Sequence, residues 1–337
     1  MGDILHALPA VTALRLAHPG WEIDWVVEPR WRALLAATES TGRGPTQPIV
    51  DRIYLAPTKD WRQRPLTLKT THEIKALRDQ LRGVTYSAVI DLQGGLRSAV
   101  VGRMTGCPRF IGEAAPRETP ARLLYSERVV THGAHVIEQD VELVSAIAGD
   151  SLVAVPPILP IDPKAEAWCD ELLKSSGTRP HAIINPGAGW GAKQWPVDRY
   201  AAVARGLIER GFRILVNAGP KEERLADEIV KGTSGAAIPL SVSLDQLIAL
   251  TRRIALCVAG DTGPLHLACA LGRPVLGIYG PTDPSRNGPY GTRFKVLRSP
   301  LSRRDHTRHP EPEAGLLTIK PEDVLLAADE LLVKEKV

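Results

Sequence analysis

The chain has 337 residues, 44% of them hydrophobic and 24% charged, with a formal net charge of +4. That length holds two domains of ordinary size, and the composition is that of a soluble globular protein. So mild a positive balance excludes wholesale nucleic-acid binding, and no run of about 18 uncharged apolar residues, as a membrane span needs, is found.

The chain opens MGDILHALPAV, an apolar, helix-like segment to about Ala17 that carries the carboxylate Asp3 at its start with no strand before it. No basic stretch leads into an apolar one there, so no signal peptide and a cytoplasmic protein are expected. EIDWVVE (22–28) reads as a strand, and 36–48, rich in Thr, Gly and Pro, as a disordered insertion. Between Lys59 and Arg128, 13 Lys and Arg stand against 7 Asp and Glu. This excess is either a set of solvated faces or a surface for an anionic partner, such as a phosphorylated glycolipid or a membrane face. Inside it, WRQR (61–64) gathers Arg62 and Arg64 beside a Trp, and Glu73–Arg82 reads as a helix. SAVIDLQ (87–93) reads as a strand, and Gly94, Gly95 and Arg97 follow it before a helix. Arg97 is either a phosphate ligand or a surface cation; APRETPARLLY (115–125) adds Arg117 and Arg122. HGAH (132–135) and HTRH (306–309) have no third ligand at a diagnostic spacing, so no metal is expected.

A helix over Asp140–Ala148 precedes AVPPILPIDP (154–163), whose prolines mark the passage between domains. Beyond it, helices are predicted over Lys164–Ser175, Val197–Arg210, Glu222–Lys231, Leu244–Arg252 and Pro264–Leu271, and finally about Pro321–Lys334. HAIINP (181–186), RILVNAG (213–219), IALCVAG (254–260) and PVLGIYG (274–280) read as strands between them, apolar on both faces as buried parallel strands are. SPLSRRDHTRHPEPEAG (299–315) reads as a polar loop. The alternation predicts doubly wound α/β architecture in two halves facing a cleft, with ligands beyond the carboxyl ends of the strands. Cys107, Cys169, Cys257 and Cys269 form no CxxC pair and read as buried free thiols in a reducing compartment.

Three strand ends carry candidate chemistry. In AGDTGPLHLACALGRP (259–274), Asp261, Thr262 and Gly263 form a turn and Pro264 suits the first helical position. The helix start would offer N–H groups to a diphosphate, His266 lies within reach, and Asp261 would turn to sugar hydroxyls. The competing reading is an ordinary strand–turn–helix with Asp261 as N-cap and His266 a satisfied surface histidine. In INPGAGWGAKQWPVDRY (184–200), Gly187, Gly189 and Ala192 formally fit the dinucleotide fingerprint GxGxxA. That reading is rejected, because the helix begins only near Pro196 and the acidic residue about 20 positions on is missing. Lys193 is then either the cation of a Gly-rich anion loop or a plain surface lysine. In NAGPKEERLADEI (217–229), Glu222 and Glu223 either complement the helix dipole or accept bonds from ribose hydroxyls.

Taken together, MGDILHALPAV, DWVVE, DLQG, NPGAGWGAKQWP, GDTGPLHLACALGRP and YGPTDP resemble the ADP-heptose:lipopolysaccharide heptosyltransferases of glycosyltransferase family 9 over nearly the whole chain. DWVVE and PTDP…GPYG are more similar to heptosyltransferase I than to heptosyltransferase II. The resemblance implies a GT-B fold of two Rossmann-like domains: an acceptor-binding domain over 1–158, an ADP-sugar-binding domain over 159–320, and a helix over 321–337 crossing back to the first. It implies inverting transfer of L-glycero-D-manno-heptose from ADP-heptose to Kdo of the lipopolysaccharide inner core, without cofactor or metal. The implied partners are ADP-heptose, a Kdo-lipid A type acceptor and the cytoplasmic face of the inner membrane, touched peripherally. By the same resemblance Asp3 is the catalytic base, and Lys193 and His266 meet the diphosphate with the backbone of Thr262 and Gly263. Gly187 and Gly189 shape the donor loop, Glu222 or Glu223 binds ribose, and Asp261 holds heptose hydroxyls. Arg62, Arg64, Arg97 and Arg117 are the candidates for the anionic acceptor.

The family pattern also puts a strand and a Lys-bearing loop before MGD. The first domain is therefore expected to lack its first, central strand, with Met1 an internal methionine of a longer protein; otherwise Asp3 is simply an N-cap. Two rival readings are heptosyltransferase II or another family 9 enzyme, and a non-catalytic nucleotide-sugar-binding protein.

Overall fold

The computed structural model describes residues 1–174, 177–219, 222–304 and 309–333. Two compact units divide the chain, one holding Asp3–Ile161 and the other Asp162 onward, so the division falls inside the Pro-rich stretch. In the first unit the chain runs α1 (Gly2–Ala17), β1 (Asp24–Val27), β2 (Arg52–Leu55), α2 (Thr58–Gln63), α3 (Leu68–Arg82), β3 (Val89–Asp91), α4 (Leu96–Met104), β4 (Phe110–Glu113), β5 (Glu127–Val129) and α5 (Val136–Ala148). Every pairing is parallel, in two separate sheets, β1-β2 and β3-β4-β5. No strand joins β1 to β3 among the described residues; the sequence reading expects this sheet to lack a central member.

Apolar residues line α1 all round, so it has no solvent face of any width: every residue from Leu5 to Arg15 is buried. The buried Arg15 guanidinium is satisfied by the carbonyls of Ile49 (2.7 Å) and Trp21 (2.6 Å) and by Asp51. The stretch 36–48 is not a disordered insertion. Its polar groups satisfy one another: the Ala37 N–H donates to the Thr46 carbonyl (2.7 Å), and the buried Gln47 amide donates to the carbonyls of Val50 (3.0 Å) and Asp51 (2.9 Å).

In the second unit the elements are α6 (Pro163–Lys174), β6 (His181–Asn185), α7 (Val197–Glu209), β7 (Arg213–Asn217), α8 (Glu223–Gly232), β8 (Ile238–Leu240), α9 (Leu244–Thr251), β9 (Leu256–Gly260), α10 (Gly263–Ala270), β10 (Val275–Tyr279), α11 (Pro284–Asn287), β11 (Phe294–Arg298) and α12 (Pro321–Leu332). They build one parallel sheet of order β11-β10-β9-β6-β7-β8. β6, β9 and β10 are buried along their whole length, which accounts for their unbroken apolar runs. Each large side chain in such a core stabilises the fold by about 1.5–3 kcal/mol.

The sequence reading sends the last helix back to the first domain. Its buried residues Val324, Ala327, Ala328 and Leu331 pack into the core of the second unit, with Leu325 resting against α7 at Gly206. A Cβ on Gly206 would lie 2.4 Å from Leu325 Cδ1, so a larger residue would have to displace the leucine side chain. All four cysteines are buried free thiols. Burial pushes Cys169 up to about 11 and Cys269 up to about 12.

Candidate functional site

Topology selects the place. From β6 the chain steps outward through β7 to β8, then returns to lay β9 on the other side of β6 before continuing to β10 and β11. The order therefore reverses between β6 and β9, the place where sheets of this kind bind ligands beyond the carboxyl ends of their strands. The loops after β6 and β9 carry Lys193 and Asp261.

Lys193 closes a 3-10 turn, Gly191–Lys193, whose backbone is pinned by the 309–313 segment: the Ala192 N–H donates to the His309 carbonyl (3.0 Å), and the Ala192 carbonyl accepts from the Glu313 N–H (3.2 Å). The Lys193 side chain is only 10% exposed. Its ammonium lies 4.1 Å from the centre of the Trp190 ring and donates to Asp261. On its other oxygen Asp261 meets His266 Nε2 at 3.1 Å. Burial works against the Asp261 charge, but the His266 hydrogen bond and the Lys193 ammonium outweigh it and hold the carboxyl well below the usual range. The bland reading of this stretch, a strand–turn–helix with a satisfied histidine, fails on the cap and on the histidine's surface position. Thr262, not Asp261, is the N-cap of α10; the helix begins at Gly263, one residue before Pro264; and the His266 ring is 7% exposed rather than on the surface. Lys193 is likewise no plain surface lysine.

After β7, Glu222 stands at the N-cap of α8 and takes the Gly219 N–H (2.9 Å). Its carboxylate lies so close to the Gly187 backbone that a Cβ there would sit 2.1 Å from Oε2. Gly187 is required by that approach, whereas Gly189 has nothing within 4 Å of a Cβ position. Glu223 begins α8 and is exposed, so it is Glu222 that faces the Gly187 loop. Several neighbours had no role in the sequence reading. Asn217 donates to Asn185 Oδ1 (2.7 Å), which ties the ends of β6 and β7 together. The hydroxyls of Tyr279 and Thr282, at and after the end of β10, are buried without a hydrogen-bond partner among the described residues. YGPTDP was the available signal for these last two.

The first unit organises its own carboxylate. Asp3 lies in the first turn of α1 behind Met1, the N-cap, so it is not itself the cap. Its side chain is 53% exposed and takes Gln93 Nε2 at 2.9 Å and Arg117 Nη1 at 3.4 Å. The buried Asp91 at the end of β3 builds the turn that delivers Gln93. It accepts the N–H groups of Gln93 (2.9 Å) and Gly94 (3.2 Å) on one oxygen, and the hydroxyls of Ser98 (2.9 Å) and Tyr125 (2.8 Å) on the other. Gly94 takes φ +63° and its carbonyl accepts the Glu118 N–H (2.9 Å), which docks the loop carrying Arg117. Of the four candidate arginines the structure brings Arg117 to Asp3. Arg97, in the first turn of α4, lies within 3.5 Å of Thr58 Oγ1, and Arg62 and Arg64 stand exposed at the end of α2.

Residues 74–316 match the family model described as glycosyltransferase family 9 (heptosyltransferase). The chain belongs to that family. It is 30% identical to lipopolysaccharide heptosyltransferase 1 of Escherichia coli (strain K12), over 89% of this chain and 91% of that one. It is 29% identical to lipopolysaccharide heptosyltransferase 1 of Pseudomonas aeruginosa, over 86% of this chain and 79% of that one. Among solved structures, E. coli heptosyltransferase WaaC with ADP matches with a TM-score of 0.80 at 27% identity, covering 98% of this chain and 97% of that one. This family 9 glycosyltransferase therefore has the α/β, GT-B class of fold. The matched span takes in Arg97, Arg117, Lys193, Glu222, Asp261 and His266, while Asp3, Arg62 and Arg64 precede it.

Proposed function

We propose that the chain is an inverting heptosyltransferase that moves L-glycero-D-manno-heptose from ADP-heptose to a Kdo residue of the lipopolysaccharide inner core. The observation that carries this reading is the Lys193–Asp261–His266 cluster at the reversal point of the second unit's sheet. The names of the heptosyltransferase 1 relatives support the choice of donor and product.

The donor's diphosphate takes the Lys193 ammonium, which the Trp190 face and Asp261 hold in place beforehand. Asp261 then turns to the heptose hydroxyls. Glu222, with Gly187 behind it, receives the ribose hydroxyls, and the N–H groups of Thr262 and Gly263 at the start of α10 face the phosphate oxygens. Asp3 accepts the proton of the acceptor hydroxyl as that oxygen attacks the anomeric carbon. The bond to ADP breaks, and Lys193, His266 and the α10 terminus stabilise the charge gathering on the leaving group. Arg117, already beside Asp3, with Arg97, Arg62 and Arg64, neutralises the acceptor's anionic groups.

The acceptor places the enzyme in the cytoplasm, in peripheral contact with the inner membrane. No helix among the described residues is long and apolar enough to cross a membrane. The test is incubation with ADP-heptose and a Kdo-lipid A acceptor, read by product mass. The acceptor should gain one heptose; ADP-heptose binding without any gain in acceptor mass would leave a nucleotide-sugar-binding protein instead.

A further inference from the structure

Eight consecutive residues, Arg62 to Lys69, are exposed between two buried anchors, Trp61 and Thr70. Within them Leu66 is 97% exposed and Leu68 is 91% exposed. Two leucines so fully presented to water cost hydration free energy that a polar loop of equal length would avoid. The presentation is built rather than frayed. Trp61 Nε1 donates to Glu73 (2.9 Å), the Thr70 hydroxyl donates to the Arg64 carbonyl (2.8 Å), and Thr67 caps α3 by accepting the Thr70 N–H (3.2 Å). These bonds hold the Pro65–Leu68 tip outward from both ends.

The charge around the tip is net positive. Lys59, Arg62, Arg64 and Lys69 flank it, against two acids, Asp60 and Glu73, the latter 3.8 Å from the Lys69 ammonium. Arg97 adds a fifth cation close to the start of α2, and Leu96 beside it is 41% exposed. Apolar side chains at a loop tip among an excess of cations match the two layers of an anionic lipid surface: acyl chains below, phosphates above. A second copy of the chain is a poor occupant. A twofold contact through this tip would set the same cations against themselves.

We infer that the 62–69 loop is a membrane-docking tip, with Leu66 and Leu68 entering the acyl boundary of an anionic phospholipid bilayer and Lys59 and Lys69 on its phosphates. The choice of a bilayer rests on the proposed lipid-linked acceptor, and docking would hold the enzyme at the surface where that acceptor lies. Docking itself needs neither donor nor acceptor, so the two readings fail separately.

The test is co-sedimentation of the full chain with vesicles of phosphatidylcholine alone and of phosphatidylcholine mixed with phosphatidylglycerol. The wild type should bind the mixed vesicles and not the neutral ones. Leu66→Ser with Leu68→Ser should weaken that binding about tenfold or more. Lys59→Gln with Lys69→Gln should weaken it roughly fivefold per charge and make it less dependent on salt. Because both leucines are exposed, the serine variant should melt with the wild type and process a delipidated, water-soluble Kdo acceptor at the wild-type rate. Equal vesicle binding by the wild type and the serine variant would overturn the inference, and so would no binding to anionic vesicles. Self-association of the wild type that the serine substitutions abolish would assign the tip to a second copy instead. Vesicle binding with no heptose transfer to either acceptor would sink the proposed function and leave the docking tip standing.

Discussion

Asp261→Asn keeps the shape of the side chain and removes its charge, which makes it the sharpest probe of the second unit's cluster. The carboxylate is 11% exposed and shares the Lys193 ammonium. A diphosphate bound to the same ammonium would stand about 5–6 Å from it, because both anions touch one cation at hydrogen-bond distance. Two unit charges at that separation repel by roughly 1–3 kcal/mol between effective dielectric constants of 80 and 20. Removing one of them should therefore tighten ADP binding by about 5- to 150-fold. Lys193→Met should move affinity the other way. Asp261→Asn should also cost stability, since Lys193 keeps only the Trp190 face at 4.1 Å and an amide oxygen. That loss should be about 1–3 kcal/mol, less than for a fully enclosed ion pair, because the long lysine stem can carry its charge toward water. Calorimetric titration of ADP into the three proteins, with urea melts of each, measures both effects. If Asp261→Asn weakens ADP binding or leaves it unchanged, the carboxylate does not stand beside the diphosphate and the assignment of Lys193 falls with it.

Asp3→Asn should lower kcat by roughly 10²–10⁴-fold while sparing ADP affinity; an unchanged turnover would remove Asp3 as the base. In Gly187→Ala the new Cβ would lie 2.1 Å from Glu222 Oε2. The carboxylate can swing away, so the chain should still fold, but it gives up the Gly219 N–H and the position proposed for ribose contact. ADP should bind about tenfold more weakly, and unaltered affinity would detach Glu222 from the donor. The depressed Asp261 carboxyl fixes the sign of a pH effect. A group lowered in the folded state contributes fully above its unfolded value and loses that contribution as pH falls below it. The stability difference between wild type and Asp261→Asn should hold down to about pH 4 and shrink only beneath it. Urea midpoints across acid pH measure this, and a difference that fades well above pH 5 would contradict the tight pairing.

The continuously apolar elements of this fold are written in single segments and could be read directly. β6, β7, β9 and β10 are apolar runs between helices of clear period, and each is found within the span expected. β2, β4, β5, β8 and β11 were not foreseen. β8 contains Pro239, and in β2, β5 and β11 two residues of each stay exposed, so no continuous apolar signal sets them off. The site divides in the same way. Asp261 and His266 belong to one turn and one helix, and their spacing is visible. The contacts that give them chemistry are not local. Lys193 reaches Asp261 across 68 positions, Gln93 reaches Asp3 across 90, and Arg117 reaches it across 114. Only the sheet order and the Asp91-centred turn bring those groups together. The Gly187–Glu222 approach shows the limit most clearly: both residues were candidates, yet that the glycine exists to admit the carboxylate is a fact of packing.

The four sequestered thiols give this molecule a ready-made set of opening sensors. Only the thiolate reacts with a maleimide, and each sulfur is shielded from solvent, so the native chain should label slowly at all four. Cys107 reports on the first unit, and Cys169, Cys257 and Cys269 on the second. Peptide mapping of the labelled protein would then time the breathing of each unit independently. Saturating ADP should quiet the second group and leave Cys107 as it was.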